Sequence, residues 1–587
     1  MSAAARQFRA AGTLLAGLRD AGARIVVVSP GARSMPIALA ARRVPGLETV
    51  AVRDERSAAF LALGAARSTG RPAVLLATSG SAGAHWHPAF VEADAAEIPL
   101  VGLTADRPPE LRHRRAPQTI DQTDLFARHV RLALDLGALS DPDVPRAAFA
   151  SAARVAVRAA LGPPAGPVHL NASLRKPLEP PGELLDLRFD GPGDGPGIRP
   201  PRCEPDPEAV GALAPRLAAA ARPAIVAGPV PACRALPAGR VRELAARIGA
   251  VALCEAGSGA TLGDGAGFPL VDAFEPIVRC PSAGSGLMPD LVIQLGPPPV
   301  SKGLDAWFAA PDAPARIVVA AHGVPDPWHG AHLLAADPLA GLEALAEAAG
   351  GADRAAWLAR WERAVRAADE ARGRVLEEVP GQAGLRESRA LAAVLARLAP
   401  GRHVLLANSL PLREAELFAP PPRSALSVIT QRGASGIDGL VAGAAGAALA
   451  TGEPVLAVLG DVAALHDVGS LHVLRDRALP VVVAVIDNRG GRIFEQLPAA
   501  SSGLAAGEFE AALVMPPRVD LIAAGAAFGI PALRAGDAAA LRAALDRAAA
   551  AAGPFLLVIR VDPGSAARDA GELVRTVDAA LRALDAR

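Results

Sequence analysis

Two polar side chains that could bind a metal ion lie at the ends of two predicted strands. Residues 455–459 form one apolar strand, which ends at Gly460-Asp461. Residues 480–486 form a second apolar strand, which ends at Asp487-Asn488. A helical run joins the two, so we expect parallel strands whose carboxyl ends lie at the same edge of a sheet. A carboxylate, an amide oxygen and the carbonyls of the Gly490-Gly491 turn suit Mg²⁺ or Ca²⁺ bridging to a phosphate, and do not suit zinc.

Asp and Asn also have a simpler interpretation, because both are ordinary residues of helix caps and tight turns. The complete arrangement is more specific than either residue alone. Asp461 follows a glycine at a strand end, Asn488 comes 27 positions later at the next strand end, and Gly490-Gly491 follow at once. This spacing favours a metal and phosphate site over two unrelated turns.

The first part of the chain, to about residue 185, alternates short apolar strands with helical patterns. The predicted strands are 25–28, 49–52, 73–77 and 99–103. This alternation predicts a doubly wound parallel sheet. Polar residues follow each strand, at the edge where ligands of such sheets bind.

The rest of the chain indicates further α/β domains. We predict domains at 1–186, 208–350 and 399–587, with a Pro- and Gly-rich linker at 187–207 and a helical connection at 351–398. The middle domain contains apolar strands but no G-x-G-x-x-G after a strand, so no dinucleotide is predicted. Trp357 and Trp361, in the connection, are expected to anchor the core.

Composition limits the possible functions. The chain has 587 residues, too many for one core, and its 60 Lys+Arg balance its 60 Asp+Glu. No basic stripe indicates a nucleic-acid partner, and no apolar run approaches the roughly 20 residues that span a membrane. The N-terminus indicates an amphipathic helix feeding a strand, so a cytoplasmic enzyme is expected. The four cysteines form no C-x-x-C pair, which predicts reduced buried thiols without zinc or disulfides.

Several stretches together resemble one enzyme family. The pattern is similar to the MenD family, the 2-succinyl-5-enolpyruvyl-6-hydroxy-3-cyclohexene-1-carboxylate (SEPHCHC) synthases of menaquinone biosynthesis, which use thiamine diphosphate. The resemblance covers most of the first and third domains and is thin in the middle one. The stretches that carry it are SPGARSMP (29–36), DERSAAFLALG (54–64), ATSGSAGA (77–84), LTADRPPELR (103–112), QTIDQ (118–122), NSLPLRE (408–414), QRGASGIDG (431–439), and LGDVAAL with DNRGGRIFEQLP.

The resemblance implies fold, chemistry and assembly. It implies pyrimidine-binding, middle and diphosphate-binding domains in that order, thiamine diphosphate held by Mg²⁺ (or Mn²⁺), and a homodimer or dimer of dimers with shared active sites. The implied reaction decarboxylates 2-oxoglutarate and adds the succinyl carbanion equivalent to isochorismate. The implied metal ligands are Asp461, Asn488 and the Gly490 carbonyl.

Glu55 is the implied catalytic residue. The aminopyrimidine of the cofactor can act as a base if a carboxylate holds its N1′, and Glu55 follows a predicted strand of the first domain. A first-turn glutamate favoured by the helix dipole is the alternative. Ile437 is the implied prop for the bent cofactor. The other implied cofactor contacts are Thr78, Ser79, Gly80, Gly436, Gly460, Gly491 and Phe494, together with the metal ligands.

The substrates of this family are polycarboxylates, so the site needs cations, and arginine binds carboxylates in a bidentate fork. Arg413 and Ser409 are implied to hold the distal carboxylate of 2-oxoglutarate. The residues implied to face isochorismate are Arg33, Arg107, Gln118 and Lys302. Arg432 completes the set of cations, and Phe494 with Leu497 forms an apolar wall. Lysine occurs only at Lys176 and Lys302, which makes Lys302 a candidate for a special role.

Some positions depart from the family pattern, and two other functions stay open. Gly303 stands where an arginine is usual, Ala32 where a serine is common, and Pro117 where an asparagine is common. These changes concern the isochorismate pocket. The alternatives are another thiamine diphosphate-dependent 2-oxo-acid decarboxylase or carboligase, such as an acetolactate-synthase-like enzyme, and a non-catalytic cofactor-binding homologue. His85 and His87, in AHWHP, are interpreted as helix and pocket-wall residues and not as metal ligands.

Overall fold

The computed structural model describes residues 1–190, 197–263, 265–377, 384–501 and 503–585. Parts of the predicted linker (191–196) and of the predicted helical connection (378–383) lie outside the described residues. The chain forms two compact units. The first comprises Met1–Pro201, Gln431–Glu453 and Asp467–Leu479, and the second comprises Arg202–Thr430, Pro454–His466 and Pro480–Arg587.

The first unit contains a six-stranded parallel sheet in the order β2-β1-β3-β4-β6-β5. Its strands are β1 Ile25–Val28, β2 Glu48–Ala51, β3 Ala73–Ala77, β4 Leu100–Asp106, β5 Leu132–Ala138 and β6 Pro167–Ser173. The helices of this region are α1 Ala3–Ala21, α2 Met35–Ala41, α3 Glu55–Thr69, α4 His87–Ala95 and α5 Arg146–Leu161.

The second unit contains two sheets, and the one nearer the N-terminus has the order β12-β11-β10-β7-β8-β9. Its strands are β7 Pro223–Ala227, β8 Val251–Cys254, β9 Leu270–Val271, β10 Leu291–Leu295, β11 Ala315–Ala320 and β12 Ala331–Ala335. The helices of this region are α6 Pro207–Ala219, α7 Ala238–Arg247, α8 Glu275–Val278, α9 Lys302–Phe308 and α10 Pro338–Ala349.

The second sheet of this unit has the order β14-β13-β15-β16-β18-β17. Its strands are β13 His403–Leu406, β14 Ser427–Thr430, β15 Val455–Gly460, β16 Val481–Asp487, β17 Ala532–Ala535 and β18 Phe555–Arg560. The helices from here to the end are α11 Ala355–Leu376, α12 Glu387–Leu398, α13 Leu410–Phe418, α14 Leu440–Thr451, α15 Asp461–His466, α16 Leu471–Asp476, α17 Ala506–Phe509, α18 Leu521–Ala527, α19 Ala538–Ala549 and α20 Ser565–Asp585. Helices α14 and α16 belong to the first unit.

The structure confirms the predicted class of three doubly wound parallel sheets. The first and third sheets run through their strands in the same relative order, whereas the middle sheet has another order. Central strands such as β1 (IVVV) and β16 (VVVAVID) are apolar along their length, because a parallel strand covered by helices is buried on both faces. Trp357 and Trp361 are core residues, as predicted, and pack edge to face with ring centroids 6.1 Å apart.

Two expectations are corrected by the structure. The single helical run expected between β15 and β16 is broken at Asp467, where the backbone leaves the helical conformation and a short 3₁₀ turn, Val468–Ser470, precedes α16. The side chain of Asp467 is buried at this break. The four cysteines form no disulfide with one another, but only Cys254 and Cys280 are buried, and Cys233 is exposed. None of the described helices is both long and apolar enough to cross a membrane.

Candidate active site

The predicted metal ligands meet at the carboxyl ends of β15 and β16. These strands pair in parallel with Gly460 opposite Ile486, so Asp461 and Asn488 leave adjacent strands at the same edge. The Asp461 carboxylate is buried, and its Oδ2 accepts a hydrogen bond of 2.8 Å from the Gly490 amide. Burial raises the pKa of Asp461 to about 6, since the charged form loses its hydration. A bound divalent cation would favour the charged carboxylate again.

Asn488 has one satisfied and one unsatisfied end. Its Nδ2 donates a hydrogen bond of 3.0 Å to Glu387 Oε2. Its Oδ1 is buried and has no hydrogen-bond partner among the described residues. Buried polar atoms in folded proteins are nearly always paired, so this amide oxygen is available to a ligand. Hard oxygen donors of this kind fit Mg²⁺, and the residues present therefore fit the group that the sequence predicts.

The Gly490-Gly491 turn brings a carbonyl to the same place. Gly490 has a φ of +119°, and a Cβ atom there would lie 2.3 Å from the Val514 carbonyl oxygen, so only glycine is tolerated. The Gly491 amide donates to the same Val514 oxygen at 2.7 Å. The Gly490 carbonyl accepts a hydrogen bond from the Arg492 amide at 2.8 Å, which leaves its second lone pair for a cation.

Glu387 is a residue of this site that the sequence analysis missed. It is the first residue of α12 and is buried, with its amide donating to Ser565 Oγ at 3.0 Å. Burial raises the pKa of Glu387 to about 7, and the nearby carboxyls of Asp461 and Asp569 add to the shift. Its sequence context is an ordinary first-turn glutamate, so no local signal identified it.

Phe494 and Leu497, predicted to form an apolar wall, follow the Gly490-Gly491 turn. Phe494 lies in a 3₁₀ turn, Arg492–Gln496, and is half-buried, with its ring against Gly491. The side chain of Leu497 is 45% exposed, so much of its apolar surface is not buried within this chain.

Two cations of the predicted substrate site, Lys302 and Arg413, lie in the second unit. Lys302 begins α9, and its Nζ donates to Gln496 Oε1 at 3.3 Å. Burial lowers the pKa of Lys302, and the positive charges of Arg279 and Arg413 lower it further. Arg413 Nη1 donates to the Ser409 carbonyl at 2.9 Å, and Ser409 has a φ of +75° immediately before α13. Lys302 and Arg413 therefore share one electrostatic environment.

A second pair of cations lies in the first unit, at the ends of β1 and β4. Arg33 is buried, and its Nη1 donates to the Leu174 carbonyl at 2.5 Å. Arg107 donates to Ser79 Oγ through Nη1, and to the Pro117 carbonyl at 2.8 Å through Nη2. Burial and the charge of Arg107 both lower the pKa of Arg33. Two arginines at one edge of the sheet, one of which acts electrostatically on the other, suit an anionic ligand.

The predicted cofactor residues Thr78, Ser79 and Gly80 follow β3 at the same edge. Gly80 has a φ of +85°, and its amide donates to Gln122 Oε1 at 3.0 Å. Gln122 is buried and supports this loop, although the sequence analysis placed it only within the QTIDQ motif. Gln118 is exposed, and its Nε2 lies 3.5 Å from the Ser79 carbonyl, at the limit of a hydrogen bond.

Glu55 begins α3, as the first residue after the cap. The Asp54 carboxylate caps the helix by accepting a hydrogen bond of 3.0 Å from the Ser57 amide. Glu55 is half-buried. Because Asp54 performs the capping, the Glu55 carboxylate is not needed for that purpose.

The loop of residues 431–439 carries the predicted residues Arg432, Gly436 and Ile437, all half-buried. Gln431 Nε2 donates to the carbonyls of Gly436 at 3.3 Å and of Asp438 at 2.9 Å, which closes the loop on itself. This loop belongs to the first unit, with Glu55, Arg33 and Arg107. The predicted residues Thr78, Ser79, Gly80 and Gln118 belong to the first unit too. The remaining predicted site residues belong to the second unit: Lys302, Ser409, Arg413, Gly460, Asp461, Asn488, Gly490, Gly491, Phe494 and Leu497.

The structure gives a physical reason for one departure from the family pattern. A Cβ atom at Gly303 would lie 2.4 Å from Val278 Cγ2 and 2.8 Å from the Val278 carbonyl carbon, so α9 packs against α8 without room for a side chain. The two histidines of the AHWHP motif differ in their surroundings. The His87 ring stacks on the Phe126 ring, with centroids 6.1 Å apart, whereas His85 is exposed.

Two family models match the chain. The model described as "Thiamine pyrophosphate enzyme, N-terminal TPP binding domain" matches residues 8–125, and "Thiamine pyrophosphate enzyme, C-terminal TPP binding domain" matches residues 416–559. These matches cover Glu55, the cations after β1 and β4, and the carboxyl ends of β15 and β16.

Similar proteins extend over nearly the whole chain. A 2-succinyl-5-enolpyruvyl-6-hydroxy-3-cyclohexene-1-carboxylate synthase from Sorangium cellulosum (strain So ce56) is 38% identical, covering 93% of this chain and 91% of that protein. One of the same name from Rubrobacter xylanophilus is 40% identical, covering 94% of each. The crystal structure of benzoylformate decarboxylase from Polynucleobacter necessarius has a TM-score of 0.69 at 17% identity, covering 95% of this chain and 98% of that one, and shows a shared fold.

Proposed function

Since this chain belongs to the SEPHCHC synthase family of thiamine diphosphate enzymes, we propose that it decarboxylates 2-oxoglutarate and adds the succinyl unit to isochorismate. In this reaction the bond to CO₂ breaks and a new carbon–carbon bond forms. The observation that carries the choice of substrates is the presence of two cation pairs, Arg33 with Arg107 and Lys302 with Arg413. Cations in such numbers match two polycarboxylate substrates better than simple 2-oxo acids.

The residues of the second unit hold the cofactor by its diphosphate. Asp461, Asn488 Oδ1 and the Gly490 carbonyl bind Mg²⁺, or Mn²⁺ in its place. The unpaired Asn488 oxygen supports this role, because it needs a partner when buried. The residues that contact the cofactor are Thr78, Ser79, Gly80, Gly436, Ile437, Gly460, Gly491 and Phe494. When bound, thiamine diphosphate supplies the carbanion chemistry, while the protein supplies position and charge.

Glu55 is the catalytic residue in this proposal. Its carboxylate would hold N1′ of the aminopyrimidine, and thiamine diphosphate, when bound, would supply the base. The capping of α3 by Asp54 supports the assignment, since it leaves Glu55 for this contact. Ile437 supports the bent form of the cofactor with its side chain.

The cations divide between the two substrates. Arg413 and Ser409 hold the distal carboxylate of 2-oxoglutarate, and Arg33, Arg107, Gln118 and Lys302 face isochorismate. Arg432 adds positive charge, and Phe494 with Leu497 contributes apolar surface. The proximity of Lys302 to Arg413 supports adjacent positions for the two substrates.

The assembly in this proposal is a homodimer or a dimer of dimers in the cytoplasm. Each active site takes Glu55 from one subunit and Asp461 from its partner. The family resemblance motivates this arrangement, and the mixed-dimer experiment in the Discussion tests it.

One assay separates the proposed reaction from its alternatives. Purified protein is supplied with thiamine diphosphate and Mg²⁺, and CO₂ release from 2-oxoglutarate is measured with and without isochorismate. We expect release that depends on isochorismate, and a product whose mass equals both substrates less CO₂. Activity with pyruvate and none with 2-oxoglutarate would indicate an acetolactate-synthase-like enzyme. Cofactor binding without CO₂ release from any 2-oxo acid would indicate a non-catalytic homologue.

A further inference from the structure

The loop of residues 431–439 is held by a carboxylate from a distant part of the first unit. Glu92, on α4, accepts hydrogen bonds from three consecutive backbone amides: Oε1 from Gly433 at 3.0 Å, and Oε2 from Ala434 at 2.6 Å and Ser435 at 3.2 Å. These amides belong to the same loop as Arg432 and Ile437. One side chain therefore fixes the backbone that precedes Ile437.

The charge of Glu92 is balanced inside the protein. Arg67 Nη2 lies 2.6 Å from Glu92 Oε1, and the two side chains are only 4% and 3% exposed. Burying a carboxylate is costly unless it is paired and hydrogen-bonded. Glu92 meets both conditions, and three of its partners are loop amides. The arrangement is specific to the loop conformation, because another conformation would leave this carboxylate without those donors.

A second buried carboxylate holds the other end of the loop. Asp467 Oδ2 accepts hydrogen bonds from the amides of Val441 at 2.8 Å and Ala442 at 3.0 Å, in the first turn of α14. The residue in the cap position of α14 is Gly439, which has no side chain to satisfy these amides. Asp467 thus caps α14 from outside that helix. This role accounts for the interruption of the helical run at Asp467, between α15 and α16.

Asp467 also connects to the helix that begins with Glu55. Ser470 Oγ donates to Asp467 Oδ1 at 2.7 Å and lies 2.8 Å from Ser57 Oγ. Arg56 Nη2 lies 3.7 Å from the same Asp467 oxygen. Both Arg56 and Ser57 lie in the first turn of α3, directly after Glu55. The first turns of α3 and α14 are therefore tied to one carboxylate.

Helices α3 and α14 also pack with their backbones in contact. A Cβ atom at Gly64 would lie 2.0 Å from the Gly443 carbonyl oxygen, and one at Gly446 would lie 1.9 Å from the Leu61 carbonyl oxygen. Contacts this close leave little freedom for one helix to shift along the other. The polar links at the first turns therefore act on a pair of helices that is already rigid.

We infer that Glu92 and Asp467 are positioning residues that together fix the 431–439 loop in register with the first turn of α3. This inference rests on the proposed function for the roles of Glu55, Arg432 and Ile437, and the fixing of the loop itself does not. With both ends held, Ile437 and Glu55 keep one relative geometry within the first unit. Preorganisation of this kind matters because small displacements of site residues are costly to the rate.

The first test measures the loop without reference to activity. Amide hydrogen exchange is followed by mass spectrometry in the cofactor-free full-length protein, for the wild type, Asp467→Ala and Asp467→Asn. We expect Asp467→Ala to speed exchange at Val441 and Ala442 by at least about tenfold, and Asp467→Asn to restore most protection, because Asn Oδ1 still accepts hydrogen bonds. For Glu92, the variant is Glu92→Gln combined with Arg67→Met, which leaves no unpaired buried charge. Faster exchange at residues 433–435 is expected.

The second test measures the consequence for the site. In Asp467→Ala we expect the Kd for thiamine diphosphate with Mg²⁺ to rise about tenfold and kcat to fall about tenfold. The KM for 2-oxoglutarate should change less than threefold, because its proposed partners, Arg413 and Ser409, lie outside the 431–439 loop. Ser57→Ala should lower kcat without changing exchange at Val441, since it cuts only the link to α3. Asp537→Ala removes an exposed cap of α19 and is the matched control, with no expected change in Kd or kcat.

The outcomes are distinguishable. Unchanged exchange in Asp467→Ala and in the Glu92 double variant overturns the inference. Faster exchange with unchanged Kd and kcat also overturns it, because the two carboxylates would then stabilise the fold alone. If Asp467→Ala does not fold, the Glu92 double variant carries the exchange test and Ser57→Ala carries the kinetic test. A wild-type protein that lacks the proposed activity would refute the proposed function, while hydrogen exchange and cofactor affinity would still test the loop.

Discussion

Asn488 Nδ2 donates a hydrogen bond of 3.0 Å to Glu387 Oε2, and this contact determines which end of the Asn488 amide is left without a partner. With the nitrogen engaged, the oxygen is the end left buried without a partner among the described residues. An amide in the opposite orientation would place its oxygen against the Glu387 carboxyl and its nitrogen toward a cation. Glu387 therefore selects the orientation in which Asn488 can bind a metal.

Asp461→Ala is expected to abolish Mg²⁺-dependent binding of thiamine diphosphate. The substitution removes the charged ligand of the proposed site and should weaken affinity by more than about 100-fold. Titration calorimetry with the cofactor and Mg²⁺ measures the effect. Asp487→Ala is the matched control, because Asp487 ends the neighbouring strand and pairs instead with Arg560 at 2.7 Å. Equal losses in both variants, or none in Asp461→Ala, would place the metal elsewhere.

Glu55→Gln is expected to leave cofactor affinity within a few fold and to lower kcat by at least about 100-fold. That factor corresponds to about 2.7 kcal/mol of barrier, at about 1.4 kcal/mol per tenfold. The reason is that glutamine is neutral and cannot stabilise a protonated N1′ as a carboxylate does. Glu48→Gln, at a surface carboxylate paired with Arg477, is the control and should retain full activity. Near-normal turnover in Glu55→Gln would remove Glu55 from the mechanism.

Lys302→Ala is expected to raise the KM for isochorismate by roughly 10- to 100-fold, with a smaller effect on 2-oxoglutarate. A hydrogen bond from a cation to a carboxylate is worth about 1.5–3 kcal/mol, which converts to such factors. Steady-state kinetics with each substrate varied in turn gives both constants. Lys176→Ala, the other lysine of the sequence, is the control. If both KM values rise equally, Lys302 does not discriminate between the substrates.

His169 predicts how the stability of the protein depends on pH. Burial lowers the pKa of His169 to about 4, and its ring pairs with Thr104 Oγ1 at 2.8 Å. In the unfolded chain the pKa of this histidine is near 6.5, so the unfolded state binds the proton first as pH falls. The contribution of His169 to the free energy of unfolding is therefore complete above about pH 6.5 and is lost toward pH 4. Its full size is up to about 3 kcal/mol.

Thermal unfolding of the cofactor-free protein at about pH 7.5 and about pH 5 tests this effect. The midpoint of the wild type should fall more between these values than that of His169→Gln, whatever the absolute midpoints are. His332→Gln, on the edge strand β12, provides a comparison at an exposed histidine. An equal pH dependence in wild type and His169→Gln would mean that folding does not lower the pKa of His169.

The sequence predicted most of the strands that position the site, and the reason is their composition. Strands β1 and β3 are uninterrupted apolar runs, and β16 is apolar as far as Asp487, which identifies strands buried on both faces. Strands β5 and β6 of the first sheet were missed, and so were β9, β12, β13, β14, β17 and β18 of the other two sheets. β5 alternates in burial at the sheet edge, and β6 begins with Pro167 and carries His169 and Asn171, so neither has that apolar signature.

The sequence identified candidate site residues that stand in a recognisable local pattern, and it missed residues that tertiary packing brings to the site from distant parts of the chain. Asp461 and Asn488 stand directly after strands, where parallel topology brings polar residues together. Glu387 lies 101 positions from Asn488, and Glu92 lies more than 340 positions from the amides that it holds. Their sequence contexts are those of ordinary helical glutamates. Their roles come from tertiary packing, which no local pattern records.

The last prediction concerns how subunits share the site. If Glu55 and Asp461 of one active site come from different subunits, neither Glu55→Gln nor Asp461→Ala homodimers can work, whereas a mixed dimer has one site with both lesions and one with neither. Co-expression with two tags and purification of the doubly tagged species should then restore up to about half of wild-type activity, because one of two equivalent sites is rebuilt. In a site built within one chain, every site of the mixed dimer carries one lesion. A doubly tagged dimer as inactive as its parents, with subunit exchange excluded, would therefore refute the shared site.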